Sequence, residues 1–99
     1  MQLNKQEALN LLQTSRDKID QIDNQIIELI TERTSLAEEI GNAKIVLNKD
    51  IKNTEREDYI QQKIKKLAKD KNIDENSLLE IMDILMKLNK SEQEKIIGR

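Results

Sequence analysis

The chain has 99 residues, with 17 Lys+Arg against 19 Asp+Glu and a formal net charge of −2, and it contains no cysteine, histidine or proline. Interspersed charges near balance exclude a nucleic-acid groove binder. The missing cysteine and histidine exclude a disulfide framework, a thiolate nucleophile, the commonest metal ligand and the usual neutral-pH acid–base group. Abundant Ile and Leu beside one aromatic residue, Tyr59, and two glycines point to an all-α protein, whose core in so short a chain is marginal without oligomerisation.

Asn4 with Glu7 three residues later forms a candidate capping box, followed by Ala8, Leu9 and Leu12. Thr14 with Asp17 is a rival start, but the stripe Leu12, Arg16, Ile19 runs through it, so one helix is expected over residues 5–47. At 1.5 Å per residue it is about 64 Å long, and a periodic helix of that length calls for a partner running beside it. Its apolar positions Ile19, Ile22, Ile26, Leu29, Leu36, Ile40, Ala43 and Leu47 recur on steps of three and four, the seam of a helix packed against others. Gly41 lies inside the pattern, where it allows close packing.

Periodicity stops in the polar stretch 48–53, and Thr54 with Glu57 reads as a capping box opening a second helix over 54–71. Tyr59, Ile60, Ile64, Leu67 and Ala68 mark its expected inner side. Asn72-Ile73 is the turn, Asp74 the N-cap, and a third helix is expected over 75–96, carried inward by Leu78, Ile81, Leu85 and Leu88. Short connections suit packed helices, and the whole chain reads as one domain. No apolar run approaches the roughly 18 residues of a membrane span. The segment MQLNKQEALNLL lacks a signal-peptide pattern, so a soluble cytoplasmic protein without membrane or nucleic-acid partners is expected. No loop has EF-hand spacing, and neither a metal nor a cofactor is expected.

Three cations depart from this plain helical scheme. Arg33 fills a step of the apolar stripe, and Arg16 and Lys44 lie on or beside it. Arg33 and Lys44 are three turns apart, on one face and about 16 Å along the axis, so two long side chains can converge on a small molecule. Arg16 is about 42 Å from Lys44 along a straight helix. If all three serve one site, Arg16 comes from a second chain, and a dimer with two shared sites follows.

Taken singly, these residues have plainer readings. Arg33 suits a buried ion pair or a register-setting polar residue, and Lys44 suits a snorkelling surface cation. Arg16 suits a surface ion pair, Glu57 a capping residue and Arg56 a solvated first-turn residue. Asn89 and Gln93, at i and i+4, suit ordinary surface amides.

The combined string Arg16-x2-Ile19-x2-Ile22-Asp23-x2-Ile26-Ile27-x2-Ile30-x2-Arg33-x2-Leu36-Ala37-x2-Ile40-Gly41-x2-Lys44, continued by Arg56-Glu57 and Gln93, resembles the all-helical chorismate mutases. The resemblance covers about residues 12–95. It implies an intertwined helical homodimer, one very long helix and two shorter ones per chain, that rearranges chorismate to prephenate on the route to phenylalanine and tyrosine. It also implies a site with no cofactor, covalent intermediate or acid–base relay.

Matched position by position, the resemblance gives Arg16 and Arg33 to the substrate carboxylates. Lys44 goes to a carboxylate and the ether oxygen, and Gln93 to that oxygen. Glu57 would accept from the ring hydroxyl, and Arg56 would complete the positive wall. Asn53 stands where the family often has Asp near the hydroxyl, and Asn89 where a Ser touches a carboxylate. Rivals on the same fold are an isochorismate pyruvate-lyase and an aminodeoxychorismate mutase. A rival of another class is a non-catalytic helical dimerisation module, which explains the seam but not Arg33 within it.

Overall fold

The structure, a computed structural model, describes residues 2–98. It is all-helical: among the described residues four helices occur, α1 (Lys5–Ser35), α2 (Ala37–Leu47), α3 (Thr54–Lys71) and α4 (Glu75–Ile97), and no strand. The bounds of α3 and α4 fall within one residue of the expected 54–71 and 75–96. The expected first helix spans the right residues but is interrupted at Leu36.

The segment through Glu32 is one compact unit and the segment from Arg33 onward another. The first is helix beyond its cap. Asn4 Oδ1 accepts from the Glu7 N–H at 2.8 Å and its amide donates back to the Glu7 carboxylate, the reciprocal capping box read from the sequence. The rival start is refuted, since the Thr14 hydroxyl donates to the Asn10 carbonyl at 2.8 Å in mid-helix. No residue of α1 is buried. Leu9, Leu12, Ile19, Ile22, Ile26 and Leu29 are all exposed, so among the described residues this unit leaves its apolar seam uncovered.

The second unit holds the core. Ile60, Ile64 and Met86 form its centre, with Leu78, Leu79 and Met82 packed on it, and Ala37 and Ala68 are buried with them. Helix α4 packs on both α2 and α3. Gly41 permits the first of these contacts: a Cβ placed there would lie 3.1 Å from Ile96 Cγ2. Left-handed Asn48 (φ 54°) and Asn72 (φ 55°) end α2 and α3, a conformation that Asn tolerates better than other residues with a Cβ. Asp74 caps α4, and hydrogen bonds from the Ser77 hydroxyl and then the Ser77 N–H hold its carboxyl below the usual carboxylate range.

Three expectations need correction. Of the side chains expected to face inward, Leu67, Ile81 and Leu88 are exposed, because the contact of α4 with α3 centres on Ile60, Ile64 and Met86 instead. The cap of α3 is Asn53, whose Oδ1 accepts from the Arg56 N–H at 3.0 Å, and not Thr54. Glu57 therefore falls one position beyond the capping-box position and is released from that duty. Tyr59 is not on the buried side: it is 56% exposed, with the Arg56 guanidinium 5.1 Å from its ring centre.

The interruption at Leu36 is explained by a contact from another helix. The Asn89 amide, from α4, donates to the Arg33 carbonyl at 3.2 Å. In an unbroken helix that carbonyl accepts from the N–H four residues on, at Ala37, and a side chain entering this ladder is a recognised origin of helix breaks. Arg33 answers by donating from its guanidinium to the Leu85 carbonyl at 2.9 Å, so the two residues clasp each other's helix.

Candidate active site

Seven of the eight residues singled out in the sequence line one cavity of about 350 Å³: Arg33, Lys44, Asn53, Arg56, Glu57, Asn89 and Gln93. The eighth, Arg16, is an exposed residue of the other unit. Leu36, Ile40, Ile51, Ile60 and Met86 supply the apolar part of the wall. Lys90 also lines it and was missed in the sequence. The only signal was its spacing from Met86 and Gln93, which puts it on the same face of α4.

The polar groups form a directed chain. Lys44 Nζ donates to the Ile51 carbonyl and, at 2.8 Å, to Gln93 Oε1. Gln93 Nε2 donates to Asn89 Oδ1 at 2.6 Å, and Asn89 donates in turn to the Arg33 carbonyl. Gln93 is 5% exposed, so it is neither a surface amide nor part of a frayed end. Its orientation follows from its neighbours: the carbonyl end faces an ammonium and the amino end faces an acceptor. An ammonium has three N–H groups and a primary amide two, so Lys44 and Gln93 each keep one beyond these bonds.

Burial lowers the Lys44 pKa from its ordinary value. Glu57 works in the opposite direction, while Lys49 and Lys90 add to the lowering. Glu57 Oε1 takes the Lys90 ammonium at 3.0 Å, and its Oε2 is buried with no hydrogen-bond partner among the described residues. Asn53 uses its Oδ1 in the cap, which leaves its amide N–H groups as donors.

Four cations, Arg33, Lys44, Arg56 and Lys90, thus face one carboxylate around a cavity of small-molecule size. The guanidinium fork suits planar carboxylates. Among the described residues no group of three or more acidic side chains could hold a metal ion, and no helix is long and apolar enough to cross a membrane.

A family model described as chorismate mutase type II matches residues 15–94. The chain is 45% identical over 82 residues to a chorismate mutase of Methanocaldococcus jannaschii, covering 83% of each protein. It is 31% identical over 92 residues to a bifunctional chorismate mutase/prephenate dehydratase of Buchnera aphidicola, covering 93% of this chain and 24% of that protein. To the bifunctional enzyme of Escherichia coli K12 it is 26% identical over 77 residues, which is 20% of that protein. The chain therefore spans a quarter or less of these bifunctional relatives but most of the archaeal one. With the cationic cavity and the match over residues 15–94, the chain belongs to the type II chorismate mutase family.

Proposed function

We propose that this chain, as one domain over residues 1–99, is a chorismate mutase that converts chorismate to prephenate in phenylalanine and tyrosine biosynthesis. The observation that carries the reading is the meeting of Lys44 and Gln93, 2.8 Å apart on the wall of a cavity that also presents Arg33 and Arg56.

The reaction is an intramolecular [3,3] shift: one C–C bond forms as the ether C–O bond breaks, and no atom is gained or lost. Negative charge grows on the ether oxygen in the transition state. The spare N–H groups of Lys44 and Gln93 are fixed donors for that oxygen. By analogy with oxyanion-hole deletions, each such donor lowers the barrier by about 2.7–4 kcal/mol. Arg33 and Arg56 hold carboxylates and fold the enolpyruvyl arm over the ring, which supplies the orientation part of the acceleration. Asn53 and Glu57 hold the ring side of the substrate, and Asn89 fixes Gln93.

The proposed assembly is a homodimer with Arg16 contributed across the interface. Two features support it. The seam of the first unit is exposed in a single chain, and covering one such Ile or Leu side chain stabilises by about 1.5–3 kcal/mol. Arg16 is also 28 residues from Lys44 in the sequence and is not among the residues that line the cavity. The proposed setting is the cytoplasm.

The test is the loss of chorismate absorbance with purified protein, followed by product identification. Prephenate supports the reading. Salicylate with pyruvate would make the chain a lyase on isochorismate, and no turnover of any of these substrates would make it a dimerisation module.

A further inference from the structure

Lys90 is a charged cavity residue to which the matched family positions give no role. Its ammonium lies 3.0 Å from Glu57 Oε1, and the two side chains are only 30% and 22% exposed. The second carboxylate oxygen, Oε2, is buried and has no partner among the described residues. A buried acceptor left without a donor is unfavourable, and a ligand that brings a donor to it relieves that cost. One oxygen of Glu57 is thus committed to a cation of the protein and the other is offered to the ligand.

Charge decides which donor suits the offered oxygen. Near neutrality an aliphatic amine is a cation and a hydroxyl is neutral. An ammonium bound to Oε2 would share the carboxylate with Lys90, leaving two like charges about 5 Å apart in a partly desolvated site. A hydroxyl meets no such repulsion. Arg33, Lys44 and Arg56 do not discriminate in the same way, because the carboxylates they face are common to both kinds of ligand.

We infer that Lys90 is a specificity-determining residue: by occupying Oε1 and cancelling the charge of Glu57, it fits Oε2 to a ring hydroxyl and against a ring amine. The inference rests on the mutase reading above, and it separates chorismate, which carries the hydroxyl, from aminodeoxychorismate, which carries the amine in its place. Selectivity here comes from a repulsive element as much as from an attractive one.

The experiment compares kcat/KM for the two compounds near pH 7 in the parent, in Lys90→Met and in Lys90→Arg. The parent is expected to prefer chorismate by at least about tenfold. Lys90→Met, similar in volume and neutral, should lower that ratio by at least about tenfold, whereas Lys90→Arg should keep it within about threefold. A merely structural Lys90 would lower both rates together and leave the ratio unmoved.

An unchanged ratio in Lys90→Met overturns the proposal, as does a ratio in Lys90→Arg that falls as far as in Lys90→Met. If Lys90→Met does not fold, the parent decides alone: acceptance of both compounds within about twofold overturns the proposal. A parent that turns over neither compound overturns the mutase reading instead. The dissociation constants of the same two compounds, measured by calorimetry on the parent and both variants, then carry the same comparison.

Discussion

The two units of this chain carry the same kind of apolar periodicity and end in opposite conditions. Through Glu32 the stripe of Leu and Ile faces outward from a helix with no buried residue. From Arg33 onward, Leu78, Leu79 and Met82 close on Ile60, Ile64 and Met86, beside a cavity lined mostly by polar residues. Periodicity therefore says that a face will be covered, but not by what. Part of the second unit's apolar surface finds its partner within the chain, although Leu36, Leu47, Ile81 and Leu88 stay exposed there, and the first unit's stripe is the surface proposed to meet a second copy.

Replacing a cavity cation tests the second unit by itself. Lys44→Ala should lower kcat/KM by at least about 10²–10³, because it removes the donor proposed for the substrate charge and the developing oxyanion. Its helix content should be unchanged, since Lys44 is only half-buried at the edge of the stripe. Circular dichroism with steady-state kinetics checks both statements. Near-parent turnover would detach the cavity from the chemistry.

Joining the two units is the next test. Arg16→Ala and Lys44→Ala chains should each be nearly inactive. Mixed and allowed to exchange, they should recover about a quarter of parent activity, since half the dimers are hybrids with one intact site of two. A fully active monomer, measured by sedimentation alongside turnover, would leave the exposed stripe without its proposed partner.

The pH profile probes the cavity more gently. Gln93 donates without titrating, so kcat should be nearly flat from about pH 6 to 8.5. Because burial lowers the Lys44 pKa, the active cation of the free protein is lost as pH rises, earlier than for an ordinary lysine. The alkaline fall should thus appear in kcat/KM at lower pH than in kcat, since a bound dianion favours the charged lysine. Gln93→Glu should turn the plateau into an acid-favoured profile, because a carboxyl donates only when protonated. The parent's profile in that variant would remove Gln93 from the site.

The smallest expected effect is at the α2–α4 contact. Gly41→Val pushes against Ile96, one turn beyond Gln93, and should destabilise by about 1–3 kcal/mol. It should also reduce kcat/KM by up to about tenfold as α4 shifts. Thermal unfolding and kinetics on one preparation check the pair.

What could be read from the sequence was local or periodic. The capping pair Asn4–Glu7 and the cap Asp74 are signals read within a few residues, and the helices they open begin where expected. The family string held five residues that line the cavity, Arg33, Lys44, Arg56, Glu57 and Gln93, and matching its positions added Asn53 and Asn89 where the chain departs from the pattern. The failures share a cause. The break at Leu36 depends on Asn89, 56 residues from Arg33, and the role of Lys90 depends on Glu57, 33 residues away. Neither partner is visible from the local pattern. Asn53 outcompeted Thr54 as the cap although both are good capping residues, which returned Glu57 to the cavity.

The Arg33–Asn89 clasp has a consequence for the order in which the molecule is made. The bonds joining Arg33 and Lys44 to α4 link residues 49 to 56 positions apart. Such non-local contacts close late, while helical turns form on their own first. During synthesis, the greasy N-terminal helix leaves the ribosome long before α4 arrives to finish the cavity. The nascent chain thus passes through a period in which it is sticky and inert. A slow stretch of translation just ahead of α4 would lengthen that period, and chaperone capture would be concentrated there.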